Sequence, residues 1–204
     1  MGKQETRMTR IALLAAVASI ALPVVAIAAP TQLYMDPNHT NVRAVWKHFT
    51  GIPLEIRFTD FESTVMYDAE DPSASSIEIT IPVDSLWTNV PAFDEHLNSP
   101  DFFESATYPT ATFTSTAIQS TGANTATMTG DLTIKDVTAP VTFDVTLVND
   151  MSHPMAGTRL LGFTATTTLT RSDWGLGMFA PAVPEDVTLV ISTELAETPP
   201  APPE

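Results

Sequence analysis

Between its two ends the chain has a pattern of period two, with Thr and β-branched residues alternating against apolar ones. Val42, Ala44, Trp46 and His48 share one face; Ile77, Ile79, Ile81 and Val83 share another, and Ala126, Met128, Gly130, Leu132 and Ile134 a third. Val141, Phe143, Val145 and Leu147 alternate against Thr142, Asp144 and Thr146. The same alternation runs through Leu161, Phe163, Ala165, Thr167 and Leu169, then through Val187, Leu189, Ile191 and Thr193. One apolar and one polar face per segment predicts antiparallel strands around a single interior. Pro, Gly, Asn and Asp punctuate the gaps, and about eight strands result, a number that can close into a barrel without free edges. A parallel βαβ arrangement would need amphipathic crossover helices, and only Val90 to Phe103 reads as a short helical stretch. The fold class predicted is therefore all-β.

The inward set is uneven in volume. Trp46, Phe58, Phe61, Phe113, Phe143 and Phe163 are large, whereas Ala44, Ala126, Gly130, Ala165 and Thr167 are small. Alternating bulky and small layers leave room for a channel, but periodicity alone favours a packed core, since most apolar faces simply pack.

The ends break the pattern. Lys3, Arg7 and Arg10 precede an uncharged run from Ile11 to Ala29, and Ala26-Ile27-Ala28 supplies a small-x-small site. This predicts a signal peptide over residues 1–28, cleaved between Ala28 and Ala29. A transmembrane anchor is the competing reading, because the run reaches the ~18 to 20 residues a span needs; Pro23 and the Ala-rich end favour cleavage and no stable membrane insertion afterwards. Residues 29–196 form the barrel, and residues 197–204, with four prolines and no large apolar side chain, read as a disordered acidic tail.

Composition narrows the chemistry. With 204 residues and 44% hydrophobic content the chain can build one real core. Beyond residue 10 it carries six Lys and Arg against 23 Asp and Glu. Such a surface repels phosphate backbones, so nucleic acid is not an expected partner. Cysteine is absent, which removes disulfides, thiolate metal sites and Cys nucleophiles. No G-x-S-x-G elbow, dinucleotide fingerprint or phosphate loop occurs. Of the four histidines, His39 and His96 combine with Asp36 and Asp94 at spacings that signal a metal only weakly, and no metal is expected. His48 falls on the inward face, either as a satisfied core histidine or as a ligand-facing hydrogen-bond group. Arg171 follows inward Leu169; it either pairs with Asp173 or a carboxylate at the mouth, or reaches the polar end of a ligand.

Specific residues carry a family resemblance. Tyr34-x-Asp36-Pro37-x-His39, the run Val42 to His48, Phe58-x-x-Phe61, Ser85 with Thr88-Asn89, Asp94-x-His96-Leu97-x-Ser99 and Asp101-Phe102-Phe103 come in order. Tyr108-Pro109-x-Ala111-x-Phe113-x-Ser115, Gly130-Asp131-Leu132-Thr133, Thr138-x-Pro140-Val141, Gly162-Phe163 and Arg171-Ser172-Asp173-x-Gly175 follow. From about Leu33 to Leu195 the chain resembles the YceI family. The resemblance implies an eight-stranded lipocalin-like antiparallel barrel with one short helix, secreted to the periplasm and often a homodimer, that holds a long isoprenoid or fatty lipid and has no catalytic activity. Strands of ~8 to 10 residues would enclose an interior ~20 to 25 Å long, suited to a chain ligand. The expected ligand wall is Val42, Trp46, His48, Phe58, Phe61, Ile81, Phe113, Met128, Phe143, Phe163, Leu169 and Arg171, with no catalytic residue and no cofactor. Relatives commonly carry Gly at Ile56, Ser63 and Asp136, and basic residues at Phe93, Asn98 and Ala139; the missing cations point to a neutral or weakly polar head group, quinone-like or an amide. A ligand-free, stress-related structural or interaction protein with a packed barrel is the first alternative, and a hydrolase the second.

Overall fold

The computed structural model describes residue 2 and residues 29–200. The predicted leader, residue 2 apart, and the last four residues of the predicted tail lie outside them. Eleven strands, β1 (Thr31–Met35), β2 (Asn41–Lys47), β3 (Pro53–Phe58), β4 (Glu62–Tyr67), β5 (Ser76–Pro82), β6 (Leu86–Trp87), β7 (Thr110–Ser120), β8 (Thr125–Ile134), β9 (Val137–Ser152), β10 (Arg159–Thr170) and β11 (Asp186–Ala196), form one sheet. One helix, α1 (Pro91–Asn98), follows β6.

The eleven strands make eight staves. β1 and β2 both run antiparallel to β11, with Met35 opposite Leu195 and Val42 opposite Ile191, so they are one stave broken at Pro37–His39. The break has a local cause: Pro37 cannot donate to a ladder, and the Asp36 carboxylate takes the Asn38 N–H at 2.8 Å. β3 and β4 form the second stave, pairing with β2 and β1 respectively, and β5 and β6 form the third, interrupted at Val83–Ser85. β7 to β11 are unbroken. Each stave pairs with its neighbour in the chain, and β11 returns to the first, closing an eight-stranded up-and-down barrel.

The helix is shorter than Val90 to Phe103. Ser99 takes extended backbone after α1, and Pro100 disfavours a helical conformation there, so residues 99–108 form turns instead, with the Phe103 N–H on the Leu97 carbonyl at 3.0 Å. Those turns carry Phe102 and Phe103 back toward the barrel.

We call the end that carries α1 and the β10–β11 connection the upper end. The lower end is closed by Leu33, Met35, Val65, Leu161 and Leu195, with Phe61, Tyr67, Leu147 and Phe163 packed against them; Leu161 has no exposed surface. Above them Phe113, Leu132, Val141, Phe143, Ala165, Leu169 and Trp174 form a second layer, in which the Phe113 and Phe143 rings meet edge to face at 5.2 Å. Gly130 makes room for that layer: a Cβ there would lie 2.4 Å from both the Phe113 ring and the Thr114 carbonyl.

Candidate functional site: an apolar cavity in the upper barrel

Between the packed layers and the upper end the interior is hollow. The cavity, about 370 Å³, is within the range of small-molecule sites. Its barrel wall comes from Val42, Ala44 and Trp46 of β2, Ile56 and Phe58 of β3, Ile81 of β5, Ala111 of β7, Leu132 and Ile134 of β8, Leu169 of β10, and Val187 and Leu189 of β11. Ala44 and Ala111 reach least far inward, which is why space survives at this height. Phe93, His96 and Leu97 of α1, with Phe102 and Phe103, form one side of the mouth; Trp174, Leu176, Met178, Phe179 and Val183 of the β10–β11 connection form the other.

The channel and the packed core are thus both present, at different heights. Of the residues expected to face a ligand, Val42, Trp46, His48, Phe58, Ile81, Leu169 and Arg171 stand around the cavity. Phe113, Phe143 and Met128 point inward but belong to the packed layer. Phe163 and Phe61 pack on the lower cluster, Phe163 against the Tyr67 ring at 5.9 Å. Phe61 also borders a hollow of about 400 Å³ at the breaks of the first two staves, which shares Val42 and Phe58 with the main cavity.

Arg171 borders the cavity and does not pair with a carboxylate. It is buried, and its guanidinium donates to four backbone carbonyls of its own connection: Nε to Pro184 at 3.1 Å, Nη1 to Leu176 and to Met178 at 2.8 Å, and Nη2 to Val183 at 2.9 Å. Asp173 is not a partner. Burial holds the guanidinium below its ordinary value, with Glu185 pulling the other way. Arg171 therefore shapes the segment that roofs the cavity, and its planar fork suits several carbonyls at once.

Most of the remaining cations are occupied too. Glu55 takes Arg57 at 2.9 Å and Arg43 at 3.5 Å, Lys135 lies 3.8 Å from Glu104, and Arg159 grips Asp150 with two bonds at 3.0 and 2.6 Å. Among the described residues Lys47 alone of the Lys and Arg has neither a carboxylate nor a carbonyl partner. The polar side chains on the wall are His48 and His96, beside the engaged Arg171 and the Trp174 indole, which donates to the Leu132 carbonyl at 3.4 Å. The His48 ring lies against Phe49 at 4.2 Å and the His96 ring against Phe102 at 4.9 Å.

The Asp36, His39, Asp94 and His96 group does not assemble. Asp94 takes the N–H and hydroxyl of Thr88 at 2.8 and 2.6 Å, anchoring the entry to α1, while His96 faces the cavity. Asp36 and His39 pair at 2.7 Å at the break of the first stave, with Glu194 at 3.9 Å from the same ring nitrogen. Sequence reasoning overlooked Phe93, His96, Leu97 and the run from Trp174 to Val183. A signal for that run existed: a long connection between strands should be polar, and residues 174–184 hold no charge.

Comparison with known proteins now bears on this geometry. The model of the YceI-like domain matches residues 33–195. The chain belongs to the YceI-like family. Among its YceI-like relatives, a UPF0312 protein of Pseudomonas putida is 39% identical over 151 residues, 74% of this chain and 78% of that one. One from Pseudomonas aeruginosa is 35% identical over 169 residues, 83% of this chain and 87% of that one. The crystal structure of Burkholderia cenocepacia BcnA superposes with a TM-score of 0.72 at 27% identity, covering 78% of this chain and 98% of BcnA. A polyisoprenoid-binding domain from Saccharophagus degradans, at 13% identity and a TM-score of 0.61 over 82% of this chain and 98% of its own, shares the fold.

Proposed function

We propose that this protein holds the apolar end of a long-chain isoprenoid or acyl lipid with an uncharged head group, in the periplasm, as a carrier or sequestering protein without chemistry of its own. The carrying observation is the cavity, walled by aliphatic and aromatic side chains while every cation that reaches it is already engaged. Each methylene moved from water onto such a wall contributes about 0.8 kcal/mol before ordering costs, so affinity comes from the chain. A pyrophosphate head would need paired Arg or Lys to offset its desolvation, and the mouth offers Phe93, Phe102 and Phe103 with Arg171 already engaged. The polyisoprenoid-binding neighbour supports the ligand class, and the leader supports the compartment. Because the lower barrel is packed, the tail enters only the upper half and its remainder stays at the mouth.

The test is organic extraction of purified protein with mass spectrometry of what it releases. Wild type is expected to yield a long-chain lipid with an uncharged head. Ala44→Phe with Ala111→Phe, which fills the bore, is expected to carry less than about a tenth as much without losing stability, since it adds packing where there was space. Equal lipid in both proteins, or a phosphorylated head group, defeats the proposal.

A further inference from the structure

Where the first stave breaks, three side chains on the outside of the barrel turn ligand atoms toward one point. His39 Nδ1 lies 2.7 Å from Asp36 Oδ2 and 3.9 Å from Glu194 Oε2, and the three ligand atoms all fall within 4.8 Å of one another. Asp36 and His39 belong to the turn that separates β1 from β2, and Glu194 to the neighbouring strand β11. Backbone bonds hold the group together. The Asp36 N–H donates to the Glu194 carbonyl at 3.0 Å, the His39 N–H to the Asp36 carbonyl at 3.1 Å, and the Asn38 N–H fixes the other oxygen of the Asp36 carboxylate at 2.8 Å. Met35 and Leu195 are buried, so by strand alternation Asp36 and Glu194 beside them point outward. Glu194 also has room to move, since the residue opposite it on β10 is Gly162. Among the described residues no Lys or Arg pairs with either carboxylate, which leaves His39 between two acids in a chain of net charge -15.

We propose that Asp36, His39 and Glu194 bind a divalent transition-metal ion of the zinc class, with water at its remaining positions. One imidazole nitrogen with two carboxylate oxygens is a donor set for Zn2+ and its neighbours, whereas Ca2+ and Mg2+ take oxygen ligands. The spacing agrees. A tetrahedral ion with bonds of about 2.0 to 2.1 Å holds its ligand atoms about 3.3 Å apart, and the two separations from Nδ1, 2.7 and 3.9 Å, straddle that distance. Asp36 has to yield and Glu194 to approach by roughly half an ångström each, which small rotations of their side chains supply. The ion takes the lone pair of Nδ1, and the proton there gives way, to Nε2 from a neutral ring or to solvent from an imidazolium. A hydrogen bond between Asp36 and His39 accounts for one carboxylate only; Glu194 faces the same nitrogen from beyond hydrogen-bond reach, with no cation of its own. The bound ion joins the turn to β11 across the break. None of the three residues lines the cavity, so the site is independent of the lipid reading.

The purified protein, free of any histidine tag and stripped with a chelator, is titrated calorimetrically with ZnCl2 and with CaCl2 at neutral pH. Glu194→Gln, His39→Gln and a control, His153→Gln in the β9–β10 turn, are titrated beside it. Wild type and the His153 variant are expected to bind one Zn2+ each and to give no comparable heat with Ca2+. Glu194→Gln keeps the shape of its side chain and leaves the bond between Asp36 and His39 in place, so it separates coordination from a turn contact. It is expected to bind Zn2+ at least about tenfold more weakly, and His39→Gln more weakly still, since even changes behind the ligands of a metal cost about that much. In the same buffer Zn2+ should raise the thermal midpoint of wild type more than that of Glu194→Gln. Wild type that takes up no Zn2+, a Glu194 variant that binds as tightly as wild type, or equal binding of Ca2+ overturns the proposal. So does loss of Zn2+ binding in His153→Gln, which places the ion elsewhere.

Discussion

At the scale of single residues, Arg171 shows how a buried cation can serve structure without a counter-ion. Four carbonyls converge on it from residues 176–184 of a connection that has no ladder of its own. Removing the donor leaves those carbonyls buried and unpaired, and bonds to a charged group are the strong ones. Arg171→Met is therefore expected to lower stability by about 2 to 4 kcal/mol, read as a urea midpoint, and to open residues 174–184 to limited proteolysis. An unchanged midpoint and an intact connection would show that the apolar contacts of Trp174 and Val183 hold the roof unaided. Nothing in the local sequence announces this role. Arg171 sits at an inward position by parity, but its partners lie 5 to 13 residues downstream in a segment without period, so only the folded connection reveals them.

At the scale of elements, strand identity was legible and height along the barrel was not. Period two follows from one interior and one wet face, so Val42, Trp46, Phe58, Ile81 and Leu169 point inward as read. The same parity applies to Phe113, Met128, Phe143 and Phe163, which point inward into packed layers; alternation reports the face of a strand and is silent on what lies across the bore. The breaks between β1 and β2 show a second limit, since a turn inside a stave depends on a pair of side chains. There Asp36 and His39 pair at 2.7 Å. The bond from Asp36 raises the affinity of His39 for its proton, and although burial pushes the Asp36 carboxyl up, its bonds from His39 and Asn38 hold it below the usual carboxylate range. The signs are opposite. The histidine's contribution is complete below its unfolded value of about 6.5 and is lost as pH rises through its raised folded value; the carboxylate's is present above about 3.9 and lost as pH falls. The pair is strongest between those limits. His39 is 62% exposed, so the effect is a few tenths of a kcal/mol. Urea midpoints should decline slightly from pH 6 to pH 8, and Asp36→Asn should flatten that decline; an equal slope in the variant would place the pH dependence elsewhere.

At the scale of the whole molecule, a packed foot and a hollow top lie along one axis, which makes the barrel differ from end to end. It is also lopsided around its girth. The three staves nearest the start of the chain are each interrupted, at residues 36–40, 59–61 and 83–85, and these gaps adjoin one another, while β7 to β11 run without interruption. A barrel resists deformation through its ladder of hydrogen bonds, and where rungs are missing the wall is compliant. Hydrogen exchange is expected to divide the protein into a slow half, β7 to β11, and a faster half, β1 to β6, whereas uniform protection would mean that the turns brace the gaps. The seam carries a mechanical consequence: the cylinder is built like a cuff, with one side held by full-length ladders and one side stitched from short ones, so a change of girth would fall on the short side without unzipping any full-length pair of strands.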